Sequence, residues 1–172
     1  TEDEVKYAIK KLKCGKASGL DGVSAEMIKL GGKEVTSFLT KLFNIIFNEG
    51  KYPHEWAKAI VIPLHKKGNT ENVDNYRGVS LLSIVSKCFT TILNTRLYFW
   101  LEDNMMISEC QAGFRKHYST VDQIFSLYAI VQKCLNKKGQ KLYVAFIDFR
   151  KAFDSVRHGK LLECLRTNGI KG

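Results

Sequence analysis

Val144-Ala145-Phe146-Ile147-Asp148-Phe149-Arg150-Lys151-Ala152-Phe153-Asp154 is the stretch on which the reading of this chain turns. Its apolar start reaches back through Leu142 and Tyr143 to the turn-like Lys137-Lys138-Gly139-Gln140, and the run of branched and aromatic side chains predicts a buried strand over 142–147. Asp148 falls where that strand leaves the core. The plainer role for an aspartate there is to cap the next helix, which Leu161, Leu162 and Leu165 imply. Asp154, just ahead of Val156-Arg157-His158, suits that role. Asp148 suits it less, because Phe149, Arg150 and Lys151 intervene, and a carboxylate at the end of a strand points to chemistry.

The residues upstream predict helices, a hairpin and more helices. Val5, Ala8, Ile9 and Leu12 share a helix face that ends at Gly15, Ser24 is placed to cap a short helix through Met27, Ile28 and Leu30, and Val35 to Ile46 lines a third that stops near Gly50. Ala59 to Leu64 and Tyr76 to Leu82 read as strands joined by a polar loop, a β-hairpin with a basic tip. Two long amphipathic helices follow, one from Val85 to Leu101 and one from Ile124 to Leu135, the second with a capping box expected from Thr120 and Gln123. Between them runs a long loop, 103–119, and loops of that length in compact folds are often functional. No repeat, low-complexity segment or proline-rich linker divides the chain, which reads as part of one mixed domain.

Composition narrows the chemistry. A net charge of +10 over 172 residues implies an anionic partner, nucleic acid being the commonest, while a hydrophobic content of 45% argues for a globular fold. No apolar run approaches the roughly 20 residues of a membrane span, so no membrane partner is expected. Five cysteines without a CxxC pair read as small buried hydrophobes in a reducing compartment, and the four histidines are scattered, so neither metal-by-histidine chemistry nor a Cys-His nucleophile is supported.

Phe146-Ile147-Asp148-Phe149-Arg150-Lys151-Ala152-Phe153-Asp154 resembles the first catalytic motif of reverse transcriptases, in the version carried by non-LTR retrotransposons and group II introns. Gly15-Lys16-Ala17-Ser18-Gly19-Leu20-Asp21-Gly22, Trp56 with Ile60 to Gly68, Asn75-Tyr76-Arg77-Gly78-Val79-Ser80-Leu81-Leu82 and Gln111-Ala112-Gly113-Phe114-Arg115 match successive blocks of the same family in the same order, with Ser18 where the family usually has proline. The resemblance implies an α+β right-hand polymerase fold, with the fingers and the helices leading into the palm over 1–140 and the first part of the palm over 141–172. It implies RNA-directed DNA synthesis, in which a primer 3′-hydroxyl attacks a dNTP under two magnesium ions about 3.5–4 Å apart.

By that resemblance Asp148 is the catalytic carboxylate and bridges both ions, with the Phe149 carbonyl as a further ligand. Lys66 and Arg77 grip the triphosphate, with Lys67 able to exchange roles with Lys66, and Phe153 crowds a ribose 2′-hydroxyl. Lys16, Lys87, Gln111, Arg115 and Lys116 contact nucleic acid, with Arg96 a further candidate that could equally cover apolar surface with its stem. Gly19 and Gly113 are expected to permit tight turns near the strands. The implied partners are an RNA template, a DNA primer, dNTP and the remaining palm and thumb segments of the same polyprotein, in the nucleus or cytoplasm.

The family takes its other catalytic carboxylates from an Asp-Asp pair, and none occurs in these residues. The sequence therefore reads as an amino-terminal fragment, inactive alone, with an exposed apolar edge at 142–147. A noncatalytic RNA-binding remnant or maturase-like module is the alternative. An RNA-dependent RNA polymerase is disfavoured by Phe153.

Overall fold

The computed structural model describes residues 1–136, 139–149 and 152–170, so Lys137, Lys138, Arg150 and Lys151 of the expected turn and motif lie outside the described residues. Backbone contacts gather the chain into two compact units, Thr1–Ser108 and Glu109–Gly172. The whole is α+β, mostly helical with one two-stranded sheet.

The first unit is built on four helices, α1 (Glu2–Lys11), α2 (Ala25–Leu30), α3 (Gly32–Glu49) and α4 (Ile84–Asp103). Much of each predicted apolar face is found inward: Val5, Ala8 and Leu12 from α1 and its end, Ala25 and Ile28 from α2, Leu39, Phe43 and Ile46 from α3, and Ile84, Cys88, Phe89 and Ile92 from α4 form one buried cluster, whereas Met27 and Leu30 of α2 and Phe38 and Ile45 of α3 are exposed. Removing a side chain the size of Phe43 or Phe89 from water stabilises a fold by roughly 1.5–3 kcal/mol, and this cluster holds the unit together. Phe43 lies 5.4 Å from Phe89, centroid to centroid, and Trp56 and Tyr52 extend the aromatic group. The Tyr52 hydroxyl shares a 2.6 Å hydrogen bond with Ser86 Oγ, so that phenol does not enter the core unpaired.

Local chemistry sets the ends. Ser24 Oγ accepts from the Met27 N–H, as its position predicts, and α3 stops at Gly50, whose φ of 64° a side chain would resist. The hairpin pairs β1 (Ile60–His65) with β2 (Tyr76–Leu81), antiparallel, with Leu64 opposite Arg77 and Ile62 opposite Val79. Pro63 stands in β1 opposite Gly78 and needs no ladder hydrogen bond, which an edge strand permits.

The second unit contains α5 (Thr120–Leu135) and α6 (His158–Thr167), and three expectations change there. The capping box of α5 is formed by Ser119 and Asp122, one residue earlier than predicted: Asp122 N–H donates to Ser119 Oγ and Ser119 N–H to the Asp122 carboxylate. A charged acceptor at the positive end of a helix outcompetes the neutral Gln123. Residues 142–147 are not a strand; Tyr143, Phe146 and Ile147 are more than four-fifths exposed. Extended apolar chain becomes a strand only where another strand pairs its backbone, and none of the described residues does so. Finally, α6 begins after Arg157 with no side-chain cap, so neither Asp148 nor Asp154 has the capping role.

The cysteines also depart from expectation. Only Cys88 is buried, and burial pushes its thiol up to about 11; Cys14, Cys110 and Cys164 are exposed and Cys134 is half-buried. Among the described residues no helix is long and apolar enough to cross a membrane.

Candidate functional site

The hairpin tip carries the first group of candidates. Beyond β1 the ladder gains one more bond, from Lys66 N–H to the Asn75 carbonyl at 2.8 Å. Side chains alternate along a strand, so this bond places Lys66 on the face of Leu64 and of its partner Arg77. Lys67 lies in the bend past the last ladder bond. Lys66 and Arg77 are thus two exposed cations on one face, and neither has an ion-pair partner among the described residues.

The loop that presents them is firmly built. Asn75 Nδ2 donates to the Asn69 carbonyl (2.8 Å), Tyr76 Oη donates to the Thr70 carbonyl (2.8 Å), and the Asn69 and Asn72 side chains accept from Glu71 and Asp74 N–H. His65 lies edge-on to Tyr76 and within 3.1 Å of the Gly68 carbonyl. Sequence reasoning missed this supporting layer. The signal was the asparagine at positions 69, 72 and 75, a residue that turns backbone by bonding to it.

A second group forms where α1 meets α4. Lys16 and Lys87, far apart in sequence, line one groove of about 320 Å³ together with Lys11 and Lys13, which sequence analysis did not single out. Its apolar wall is Ala8, Leu12 and Ile84, and no carboxylate lines it. The signal for the added lysines was their density over Lys10-Lys11-Leu12-Lys13.

The loop bearing Lys16 is tied down at both ends. Gly15 N–H donates to the Glu26 carboxylate at 2.6 Å, which holds that carboxyl below its ordinary range. Gly19 is buried so closely against β2's exit that a Cβ would stand 2.6 Å from Ser83 N and 2.7 Å from the Leu82 carbonyl carbon. The close approach predicted for Gly19 is real; Gly113 has only a side-chain atom within reach, at 3.5 Å.

Arg96 has a different task. Its guanidinium makes two hydrogen bonds to Glu4, at 2.6 and 2.9 Å, and lies over the Phe47 ring, so it joins α1 to α4 and covers apolar surface. The Arg96 guanidinium holds the Glu4 carboxyl below the usual carboxylate range.

In the second unit, Asp148, Phe149 and Phe153 are all exposed. Among the described residues no hydrogen bond or ion pair engages Asp148. The Phe153 ring stands edge-on to Phe114 at 6.0 Å, which brings the first motif together with the loop holding Gln111. Between residues 109 and 119 that loop has two non-glycine residues in the left-handed region, Phe114 at φ 65° and His117 at φ 68°, where side chains are strained. Gln111 Nε2 donates to the Gly113 carbonyl. Arg115 is engaged within the loop, its guanidinium 4.4 Å from the Tyr118 ring centroid and 3.4 Å from Glu109, while Lys116 is exposed.

The oxygens of Asp148 and of the Phe149 carbonyl are hard donors of the kind magnesium takes. They are too few for an octahedral ion, and among the described residues no three His, Cys, Asp or Glu side chains converge. The donors fit the metal in kind but not in number.

Comparison with known proteins places these residues in context. The reverse transcriptase (RNA-dependent DNA polymerase) family matches residues 64–172. The RNA-directed DNA polymerase from the mobile element jockey of Drosophila melanogaster is 35% identical over 165 residues, which cover 94% of this chain and 18% of that protein. A probable RNA-directed DNA polymerase from the transposon BS of the same fly is 30% identical, covering 93% of this chain and 18% of the relative. A retrovirus-related Pol polyprotein from the type-1 retrotransposable element R2 of Nasonia vitripennis is 27% identical, covering 87% and 14%. The chain spans less than a fifth of the length of these relatives.

Proposed function

Because this chain belongs to the reverse transcriptase family, we propose that it supplies the fingers and the start of the palm of an RNA-directed DNA polymerase of the non-LTR retrotransposon type. Residues 1–140 serve as fingers and as the helices leading into the palm, and 141–172 begin the palm. The observation that carries the reading is Asp148. It is an exposed carboxylate that caps no helix and engages no neighbour among the described residues, so the fold itself gives it nothing to do.

In the reaction, a primer 3′-hydroxyl attacks the α-phosphorus of a dNTP, the new phosphodiester bond forms and pyrophosphate leaves. Bound magnesium would neutralise the negative charge gathered between the attacking and leaving oxygens. Asp148 and the Phe149 carbonyl would offer oxygen ligands to that ion, and further carboxylates would be needed to complete its shell. Lys66 and Arg77, on one face of the hairpin, bind the triphosphate, Lys as a mobile point charge and Arg as a planar fork. The exposed Phe153 ring, steadied edge-on by Phe114, lies against the sugar and crowds a 2′-hydroxyl.

The test uses the complete reading frame that contains this chain. It should copy an RNA template into DNA in magnesium, and Asp148→Ala should reduce the rate by about a thousandfold, roughly 4 kcal/mol of transition-state stabilisation. Undiminished synthesis by the variant sinks the assignment. A noncatalytic RNA-binding module is the second reading, supported by the net charge of +10. It requires RNA binding with no synthesis from either protein.

A further inference from the structure

Residues 66–75 join β1 to β2, and Lys66 is the first of them. A connection of that length, left to itself, lets its ends shift against each other, and a ligand that bridges them has to freeze the motion. This connection is frozen already. Asparagine stands at every third place in it, 69, 72 and 75. Asn72 N–H donates to the Asn69 carbonyl at 3.3 Å and Asn75 N–H to the Asn72 carbonyl at 3.0 Å, while the Asn69 and Asn72 side chains accept from Glu71 and Asp74 N–H.

These bonds converge on Asn75. Its carbonyl accepts from Lys66 N–H, and its Nδ2 donates across the loop to the Asn69 carbonyl. The same amide lies so close to Gly68 that a Cβ there would stand 2.7 Å from it. Tyr76 closes the other side: its hydroxyl donates to the Thr70 carbonyl, and its ring meets His65, which reaches the Gly68 carbonyl. Asn75 and Tyr76 are half-buried, whereas every residue from 61 to 74 is exposed. Neither carries a charge to offer an anion, and both turn their donors into the loop.

We propose that Asn75 and Tyr76 are positioning residues for the incoming nucleotide, which hold the backbone of Lys66 in register with Arg77 before the triphosphate arrives. They act through those two cations and do not touch the ligand. The inference rests on the polymerase reading, which makes a triphosphate the ligand of that face, and goes beyond it by assigning part of the affinity to uncharged residues. An ordered loop has no ordering cost left for binding to meet, and this gain is the same in ground state and transition state. It therefore falls on nucleotide affinity and leaves the chemical step alone.

The experiment is steady-state kinetics of the complete reading frame that contains this chain, copying RNA in magnesium. Asn75→Ala and Tyr76→Phe should each raise KM for the dNTP about two- to tenfold, the worth of one hydrogen bond. The same variants should keep kcat and the KM for primer and template within about twofold of the parent. In a protein already carrying Lys66→Ala and Arg77→Ala, neither change should raise KM further, because nothing is left to position. Tyr76→Phe keeps the ring against His65 and so tests the idea even where Asn75→Ala disturbs the fold. Calorimetric titration with inorganic tripolyphosphate gives a readout that needs no synthesis, and its affinity should fall by the same factor.

Unchanged KM and tripolyphosphate affinity in both variants overturn the proposal. A loss confined to kcat does so too, as does an undiminished effect in the Lys66 and Arg77 background, which would mean a merely structural role. The two readings fail separately. Synthesis indifferent to Asp148→Ala, with tripolyphosphate affinity still dependent on Asn75 and Tyr76, sinks the polymerase reading alone. Synthesis lost in Asp148→Ala, with nucleotide KM indifferent to Asn75 and Tyr76, sinks the positioning role alone.

Discussion

The two units of this chain answer the same physical problem with unequal means. Thr1–Ser108 buries twelve apolar side chains in one cluster, whereas no described residue of Glu109–Gly172 is buried. The difference does not lie in apolar content: α5 carries Val121, Ile124, Phe125 and Tyr128, each more than half exposed, and 142–147 is apolar throughout. The first unit has four helices whose faces meet, while the second has stripes that its own residues leave uncovered. What this teaches is that a residue's hydrophobicity predicts a demand for burial, and only the surrounding topology decides whether that demand is met.

The largest expected effect tests the contrast directly. Phe43→Ala should destabilise the chain by about 3–5 kcal/mol in urea unfolding, through lost burial and the cavity left behind. Ile124→Ala, in the second unit, should change stability by no more than about 0.5 kcal/mol. A comparable loss at both sites would break the comparison, because it would mean that the α5 stripe is covered in solution.

A smaller effect is expected from adding one carbon. Gly19→Ala places a Cβ within 2.8 Å of the backbone of Leu82 and Ser83 and should destabilise by about 1–3 kcal/mol. Gly113→Ala, with its nearest atom at 3.5 Å, should stay within about 0.5 kcal/mol. Equal tolerance in thermal melts would show that the loop bearing Lys16 is not wedged as described.

The smallest effect is electrostatic and depends on pH. Glu4 is bound by the Arg96 fork, and its folded carboxyl titrates below its unfolded range, so its contribution is present above the unfolded value of about 4.3 and lost as pH falls through the folded one. Both partners are partly exposed, so Glu4→Gln should cost about 0.5–1 kcal/mol at pH 7, with the difference from the parent shrinking below about pH 4. Stability curves between pH 2 and 8 decide this, and a flat difference for Glu4→Gln would remove its link to Arg96.

How much was legible in the sequence follows the same division. Where local pattern and packing agree, as in α1, α3, α4 and the hairpin, periodicity and turn residues placed each element to within a few residues. That 142–147 forms no strand was not legible, because a strand is a property of two segments and an apolar run describes only one of them. Similarly, Lys16 and Lys87 were singled out separately, and nothing linear says that Lys11 and Lys13 join them; only the packing of α1 on α4 does. The α5 cap was misplaced by one residue because Ser119 and Thr120 both suit a capping box, and the tie is broken by the charge of Asp122.

The ladder bond from Lys66 to Asn75 has a genetic consequence. Lys66 and Lys67 are adjacent and identical, with the bend starting after the first. An in-frame loss of either codon leaves a lysine next to His65, so the position on Arg77's face survives the deletion and only the bend is shortened. A doubled lysine at this register thus keeps a charge on that face when either one is lost.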